Sequence, residues 1–288
     1  MPFEPTYAVV PERRAYTFTA GPVGCLMLHG FMGAPISSRP MAEYLAGRGL
    51  YVHCPLLPGH GELPNKMYNV NRQEWLDEAE EAYITARASC DELFLMGHSM
   101  GTILCADLAI RHGDIKGMIM LAPAYDIPDS RIRALALLRY VMPWFNPLRM
   151  RRLRKLINQR LLDFDPTLDL DDPEVQARLP EMARVPTGAI DEMRKTLDMG
   201  RKLWPSLDLP ALIIQGGDDI AVDPANTQKL FDQLPNSFKE LLFIEDAGHE
   251  LMRPFDKSHS IVWPAVFEFI RSHTMFKQTL SYPFESGE

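Results

Sequence analysis

The chain has no excess of positive charge and no long apolar run. Its 288 residues include 30 lysines and arginines against 38 aspartates and glutamates, which gives a formal net charge of −8 at pH 7. Nucleic-acid binding needs a basic surface that neutralises phosphates, so we expect no nucleic-acid partner. No uncharged apolar run approaches the ~20 residues that a membrane-spanning helix requires, so we expect no transmembrane segment.

Cysteine is scarce as well. No two of the four cysteines form a Cys-x-x-Cys pair, and each lies in or beside a predicted strand or helix: Cys25, Cys54, Cys90 and Cys105. This pattern favours buried free thiols over a disulfide framework or a metal site. The first residues, Met1–Pro5, include no basic segment that leads into an apolar one. The sequence therefore predicts no signal peptide and a cytoplasmic protein.

What the chain does have is a hydrophobic content of 46%, enough for one large core. Short apolar runs predict buried strands at Cys25–Leu28, Tyr51–Cys54, Glu92–Met96, Gly117–Leu121, Leu212–Gln215 and Leu241–Ile244. Helical patterns lie between them, at Ser38–Ala46, Asn71–Ala88 and Thr102–Arg111. Asn71 can cap the second helix, and Glu74, three residues further on, completes the pattern of a capping box. This alternation predicts an α/β fold, with parallel strands between two layers of helices. Active residues are then expected on loops at the carboxyl ends of the strands.

The segment Gly97-His98-Ser99-Met100-Gly101 joins a predicted strand to a predicted helix. Such a Gly-x-Ser-x-Gly turn lifts the serine hydroxyl clear of the backbone, and a Cβ at either glycine would clash in so sharp a bend. The helix N-terminus behind it directs amide groups at the reacting centre. We predict Ser99 as a nucleophile. The alternative, a glycine-rich loop with a surface serine, does not require the flanking strand and helix.

A serine hydroxyl needs an adjacent base, and the base needs a carboxylate that orients it. Of the eight histidines, His249 is the best base, because it follows the predicted strand Leu241–Ile244 directly. We expect the side chain of His98 to point away from that of Ser99, and His29 and His60 to shape loops. The acid should follow the strand Leu212–Gln215. Spacing leaves three candidates, of which two would form turns or helix caps: Asp218, Asp219 and Asp223.

Attack on an ester carbonyl creates an oxyanion that needs preorganised donors. One should be the amide of Met100, immediately after the nucleophile. The other should come from the loop His29–Gly33, and the amide of Phe31 is the best candidate. Because both donors are backbone groups, the two side chains are free to line a pocket. The alternative interpretation of this loop is a plain glycine-rich turn.

Four segments together resemble the α/β-hydrolase superfamily, in particular its bacterial carboxylesterase and monoacylglycerol lipase branch: Leu28–Phe31, Pro58–Gly61, Gly97–Gly101 and Ala247–His249. The pattern Gly216-x-x-Asp219-x-x-Val222 resembles the acid loop of that family, which selects Asp219 among the three aspartates. The resemblance implies a mostly parallel eight-stranded sheet flanked by helices, a helical cap over the active site, and neither a cofactor nor a metal.

The chain departs from the family in three respects, one of which is an insertion longer than in the compact members. Thr102 stands where members often carry a second glycine, and Met182–Thr187 contains no glutamate like the one that lipases of this branch could use near glycerol. The resemblance therefore implies a serine hydrolase that cleaves small carboxylic esters of short to medium acyl chains through an acyl-enzyme. An acyltransferase or a carbon–carbon bond hydrolase could use the same scaffold. A non-enzymatic ligand receptor would be expected to lack a member of the triad.

Residues 124–208 break the alternation and are nearly all helical in pattern, without a convincing strand. We predict a helical cap (lid) at 124–208, inserted into a core of residues 1–123 and 209–288. Its apolar residues either line an acyl pocket or pack the cap onto the core: Ile132, Leu135, Ala136, Leu138, Val141, Met142, Trp144 and Phe145. The basic stretch Leu148–Arg160 predicts a solvated helix face or a patch that makes transient contact with a lipid surface.

Overall fold

A seven-stranded sheet forms the centre of the protein in its computed structural model. The structure describes residues 13–126, 139–151, 154, 157–158, 161–162, 167–253 and 258–281. The strands of this sheet are β1 Tyr16–Phe18, β2 Val23–Leu28, β3 Tyr51–Cys54, β4 Glu92–His98, β5 Ile115–Leu121, β8 Ala211–Gly216 and β9 Lys239–Ile244. Their order in the sheet is β1-β3-β2-β4-β5-β8-β9, and all of them are parallel except β1, which is antiparallel to β3.

The resemblance implied eight strands, whereas the described residues form seven in this sheet. Each of the six predicted strands is present, and all but Tyr51–Cys54 are two residues longer than predicted. The strand that the sequence did not reveal is β1, which has three residues and lies at the antiparallel edge. A strand of three residues is too short to show an alternating pattern, which explains why it was missed.

Helices cover both faces of the sheet, as predicted. The α-helices whose bounds the structure describes are α1 Arg39–Ala46, α2 Arg72–Arg87, α3 Gly101–His112, α4 Pro173–Met182, α5 Thr187–Leu203, α6 Ala225–Gln233 and α7 His259–His273. The predicted capping box begins α2: the Asn71 side chain accepts from the amides of Gln73 and Glu74, while the Glu74 carboxylate accepts from the Asn71 amide. This arrangement satisfies amides that the first helical turn leaves without partners.

Alternate side chains of β4 show how the sheet divides the core. Leu93 and Leu95 pack with α2, α3 and α5 on one face. Phe94 and Met96 point to the other face and pack with α1 and α7. A strand buried on both faces needs apolar residues at every position, which is why its sequence is a continuous apolar run. The consequence for function is a rigid sheet whose strand ends carry the loops described below.

The described part of residues 124–208 contains two short strands as well as helices, so the expectation that this segment holds no strand is wrong. Trp144–Phe145 (β6) pairs antiparallel with Val185–Pro186 (β7). A strand of two residues is too short to show the alternation of apolar and polar residues by which strands are predicted. Leu179 and Met182 of α4 form a cluster apart from the main core, whereas Met193 and Leu197 of α5 pack into it.

Part of the predicted apolar run, Ile132 to Leu138, lies outside the described residues, and its role stays a prediction. Further along the run, Val141 and Met142 are exposed. Of the basic stretch, Arg149, Arg151 and Arg154 are exposed, which fits the solvated face. The remaining basic residues of that stretch lie outside the described part of the chain: Arg152, Lys155 and Arg160.

All four cysteines are free and buried, which confirms the prediction for them. Burial raises the pKa of Cys54 to about 12 and that of Cys90 to about 11. Thiols with such values remain protonated at neutral pH and are poor nucleophiles. In the part of the chain that the structure describes, no helix is both long and apolar enough to cross a membrane.

Candidate active site

Ser99 occupies the sharp turn between β4 and α3. Its φ of 52° lies in the left-handed region, which is costly for a residue with a side chain. The turn is held because the Ser99 amide donates to the carbonyl of Leu121 at the end of β5, at 2.9 Å. A Cβ on Gly97 would overlap the backbone of Thr102, and one on Gly101 would overlap the carbonyl of Leu28. The predicted requirement for both glycines is thus confirmed.

Thr102, the departure from the family pattern, has a specific partner here. Its hydroxyl donates to the carbonyl oxygen of Ser99 at 2.7 Å, and the amide of Ala124 donates to the same oxygen at 3.3 Å. Thr102 is fully buried. The hydroxyl therefore adds a second anchor for the strained turn, which a glycine could not supply.

Asp219 and His249 form a buried pair at the ends of β8 and β9. His249 Nδ1 lies 2.8 Å from Asp219 Oδ2, and an ionised carboxylate can only accept, so Nδ1 carries the hydrogen. The other carboxylate oxygen, Oδ1, accepts from the amides of Ala221 at 2.8 Å and Val222 at 2.9 Å. This tautomer leaves the Nε2 lone pair of His249 available to accept a proton.

The environment of Asp219 favours its ionised form. Burial alone would raise the pKa of this carboxyl group, but the hydrogen bond and charge of His249, together with the amides of Val222 and Ala221, lower it below the usual value. The two neighbouring candidates have other surroundings. Asp218 is exposed, and Asp223 accepts from the amide of Ala225 at 3.0 Å, at the start of α6. These are the turn and capping roles expected for two of the three aspartates.

His98 links the His249 loop to the elbow. Its Nε2 donates to the carbonyl oxygen of His249 at 2.9 Å, and the two ring centroids lie 4.7 Å apart. Since His98 and Ser99 are adjacent in the chain, this contact links the His249 loop to the turn that carries Ser99. No role for His98 could be predicted from the sequence, because its partner lies 151 residues further along the chain.

The loop that follows β2 packs directly against Ser99. A Cβ on Gly30 would lie 2.9 Å from the Cβ of Ser99, so only glycine allows this approach. The Gly33 amide donates to the Gly30 carbonyl at 2.9 Å. His29 holds the loop through two hydrogen bonds. Its Nε2 accepts from the Leu57 amide at 3.2 Å, and its Nδ1 donates to the Gly30 carbonyl at 3.1 Å. His29 thus shapes the loop, as expected.

The side chains of the two predicted oxyanion donors differ in position. Phe31 is half-buried, and its ring meets those of Trp75 and His60 edge-on. Met100 is fully buried and packs within the main core cluster. The expectation that the Met100 side chain is free to line a pocket is wrong, because the first turn of α3 directs it between the sheet and the helices.

One group of described residues has donor atoms close enough for a metal ion. The donor atoms of His98, His249 and Glu250 lie within 4.8 Å of one another. The contacts above already engage them: His98 Nε2 donates to a carbonyl, His249 Nδ1 donates to Asp219, and Glu250 pairs with Arg253 at 3.0 Å. We therefore assign these side chains to the Ser99 site rather than to a metal centre.

Comparison with known families agrees with this geometry. A family model, Hydrolase_4, described as serine aminopeptidase, S33, matches residues 24–257. The chain belongs to this family. The match to Hydrolase_4 spans the elbow, the loop after β2, the acid loop and the His249 loop, which are the four parts of the site.

Relatives of this Hydrolase_4 chain carry names of ester-cleaving enzymes. It is 28% identical over 267 residues to a thermostable monoacylglycerol lipase of Bacillus sp. (strain H-257), covering 93% of this chain and 98% of that protein. It is 20% identical over 258 residues to a carboxylesterase of Bacillus subtilis (strain 168), covering 89% and 96%. The solved structure of a metagenome-derived lipolytic enzyme has a TM-score of 0.72 and 26% identity, covering 92% and 100%. The predicted α/β-hydrolase fold and hydrolase class are thereby confirmed.

Proposed function

We propose that this protein is a serine hydrolase that cleaves carboxylic esters of short to medium acyl chains through an acyl-enzyme. The observation that carries the proposal is the buried Asp219–His249 pair, which contacts the elbow of Ser99 through His98. A strained nucleophile beside an oriented neutral imidazole is an arrangement suited to nucleophilic acyl transfer. The names of both bacterial relatives agree with an ester as the substrate.

In this mechanism Ser99 Oγ attacks the ester carbonyl carbon while His249 Nε2 takes the hydroxyl proton. The amides of Phe31 and Met100 donate to the oxyanion that forms. The carbon–oxygen bond to the alcohol then breaks, and the alcohol leaves with the proton from His249. A water molecule, deprotonated by His249, then attacks the acyl carbonyl carbon. The bond from that carbon to Ser99 Oγ breaks, His249 returns the proton to Oγ, and the carboxylic acid leaves. The ionised Asp219 stabilises the imidazolium in both halves of the reaction.

Apolar side chains surround the proposed oxyanion loop on its cap side. Phe31 and Met32 pack with Met67 of the loop before α2, and with Val185 and Ala189 of the insertion. We propose that residues 124–208 form a cap whose inner face binds the acyl chain. Each buried methylene contributes about 0.8 kcal/mol, so kcat/KM should rise by up to about fourfold per added carbon until the pocket ends.

A substrate panel tests this function. Purified enzyme would be assayed with p-nitrophenyl esters from acetate to palmitate, with monoacylglycerols, and with aminoacyl arylamides, because the family description names an aminopeptidase. We expect ester turnover that peaks at a short or medium chain, and no turnover by Ser99→Ala. Dominant arylamide cleavage, or transfer of the acyl group to an added alcohol in preference to water, would contradict the proposal.

We also propose that the insertion makes transient contact with a lipid surface. Tyr140, Val141 and Met142 are consecutive, and their exposed fractions are 77%, 79% and 46%. The exposed Arg149, Arg151 and Arg154 follow, which suits anionic headgroups. A triple serine variant at 140–142 should lose most sedimentation with phosphatidylserine vesicles, while Met275→Ser, at a residue that is 74% exposed on the C-terminal segment, should not. Equal sedimentation of both variants would contradict this contact.

For location we propose the cytoplasm, which the four free thiols favour, because disulfides are common in oxidising compartments. Fractionation of the producing cells would check this, and recovery of the protein in the secreted or periplasmic fraction would contradict it.

A further inference from the structure

Gln215 lies at the end of β8, four residues before Asp219, and its side chain is fully buried. Its Nε2 donates to Asp219 Oδ2 at 3.1 Å and to the Gly216 carbonyl at 3.0 Å. Its Oε1 accepts from the hydroxyl of Thr227 at 2.8 Å. Thr227, on α6, is buried as well. A continuous buried chain of hydrogen bonds thus runs from α6 through β8 to the acid.

Chemistry fixes the orientation of this amide. The carboxylate of Asp219 and the carbonyl of Gly216 are both acceptors, so only the NH2 group of Gln215 can face them. The Thr227 hydroxyl then donates to Oε1. With the amide flipped, an oxygen would face two other oxygens in a buried site, where unfavourable polar contacts are costly. The Thr227 hydroxyl can donate or accept, so it does not select this orientation; it locks the far end of the amide in place through Oε1.

We propose that Gln215, locked by Thr227, is a positioning residue that holds the Asp219 carboxylate in line with His249 Nδ1. This inference rests on the proposed function. With Gln215 in place, each carboxylate oxygen accepts two hydrogen bonds: Oδ1 from the amides of Ala221 and Val222, and Oδ2 from Gln215 and His249. The carboxylate is then fully coordinated and cannot rotate away from the imidazole.

A purely structural role predicts a different outcome. If the chain merely tied α6 to β8, its loss would lower the free energy of unfolding but would leave the turnover of the folded enzyme unchanged. A positioning role acts on His249, which serves as base and acid in both halves of the reaction. Acylation and deacylation should then slow together, with little change in KM.

The test uses three variants and one matched control. Gln215→Met keeps the length and removes both hydrogen-bonding groups. Thr227→Val keeps the shape and removes the hydroxyl, and Thr227→Ser restores the hydroxyl. Gln228→Met makes the same exchange as the first variant at the exposed position next to Thr227. The readouts are kcat and KM for one aryl ester, the rate of fluorophosphonate inactivation, and the unfolding midpoint in urea.

We expect Gln215→Met to lower kcat about ten- to hundredfold with KM changed less than about threefold, because it removes a donor to a buried charge. Thr227→Val should lower kcat about three- to tenfold, and Thr227→Ser should recover most of that loss. The rate of fluorophosphonate inactivation should fall with kcat, and Gln228→Met should match the parent enzyme.

Unchanged kcat in folded Gln215→Met, or equal kcat in Thr227→Val and Thr227→Ser, would overturn the positioning role. If Gln215→Met does not fold, the two Thr227 variants decide the question alone. Full activity of Ser99→Ala would instead overturn the proposed function itself, so the two failures are distinguishable.

Discussion

His98 Nε2 donates to the carbonyl oxygen of His249 at 2.9 Å, so the residue before the proposed nucleophile holds the backbone of the proposed base. The contact joins the end of β4 to the loop after β9, although β5 and β8 separate these two strands in the sheet. This hydrogen bond therefore links the His249 loop to the Ser99 turn separately from the Asp219–His249 hydrogen bond.

His98→Phe should therefore keep a ring against His249 but lose the donor. We expect a fall in kcat of about three- to tenfold, the effect of one neutral hydrogen bond on a positioned group. Steady-state kinetics with an aryl ester would measure it, with circular dichroism to verify folding. Turnover equal to that of the parent enzyme would show that the His249 loop keeps its position without this bond.

Asp219→Asn should abolish most turnover, about a thousandfold or more. The amides of Ala221 and Val222 require an oxygen at the Oδ1 position, so the new NH2 group would face His249 and force its Nδ1 to accept. The hydrogen would then lie on Nε2, which could no longer take the serine proton. The matched variant, Asp218→Asn, alters an exposed neighbour and should retain most activity. If Asp218→Asn instead lost activity and Asp219→Asn retained it, the orienting acid would be Asp218.

The pH profile should show one protonation on its acid limb. Because the pKa of Asp219 is lowered, its carboxylate stays ionised while the base becomes protonated, so the acid limb should report the base alone. A plot of log kcat/KM against pH should then fall with a slope of about one along this limb. A slope of two would indicate that a second group becomes protonated together with the base.

The lowered pKa of Asp219 also makes the stability of the fold depend on pH. The folded pKa of Asp219 lies below the unfolded one, so its ionised form stabilises the fold above the unfolded value of 3.8, and this contribution is lost as the pH falls through the folded value.

Two glycine-to-alanine changes should have opposite effects on stability. At Gly97 the new Cβ would overlap the backbone of Thr102, and we expect the free energy of unfolding to fall by about 1–3 kcal/mol. At Gly188, in the first turn of α5, no described atom lies within 4 Å of a Cβ, and the change should raise it by about 0.4–1 kcal/mol. Urea unfolding would measure both. Equal effects would show that the elbow can relax around a side chain.

The sequence was most informative where local rules decide the structure. The two glycines around Ser99 lie within one five-residue turn, and Asn71 caps amides two and three residues away. Both predictions are confirmed. The choice of Asp219 needed the family resemblance, because three aspartates of one loop satisfy the same spacing. The partners of His98 and Gln215 depend on which strands are neighbours in the sheet, and no local pattern records that. The prediction for the Met100 side chain is wrong for the same reason, since the packing of α3 on the sheet determines where that side chain lies.

The central claim is that Ser99 forms the covalent intermediate. The most direct measurement is to inactivate the enzyme with a fluorophosphonate, digest it, and locate the adduct by tandem mass spectrometry, with Ser99→Ala as the control. We expect one adduct, on the peptide that contains Gly97–Gly101, at Ser99, with labelling that follows the loss of activity and is absent from the folded control variant. A stoichiometric adduct on another residue, or ester turnover by Ser99→Ala at the parental rate, would contradict the account.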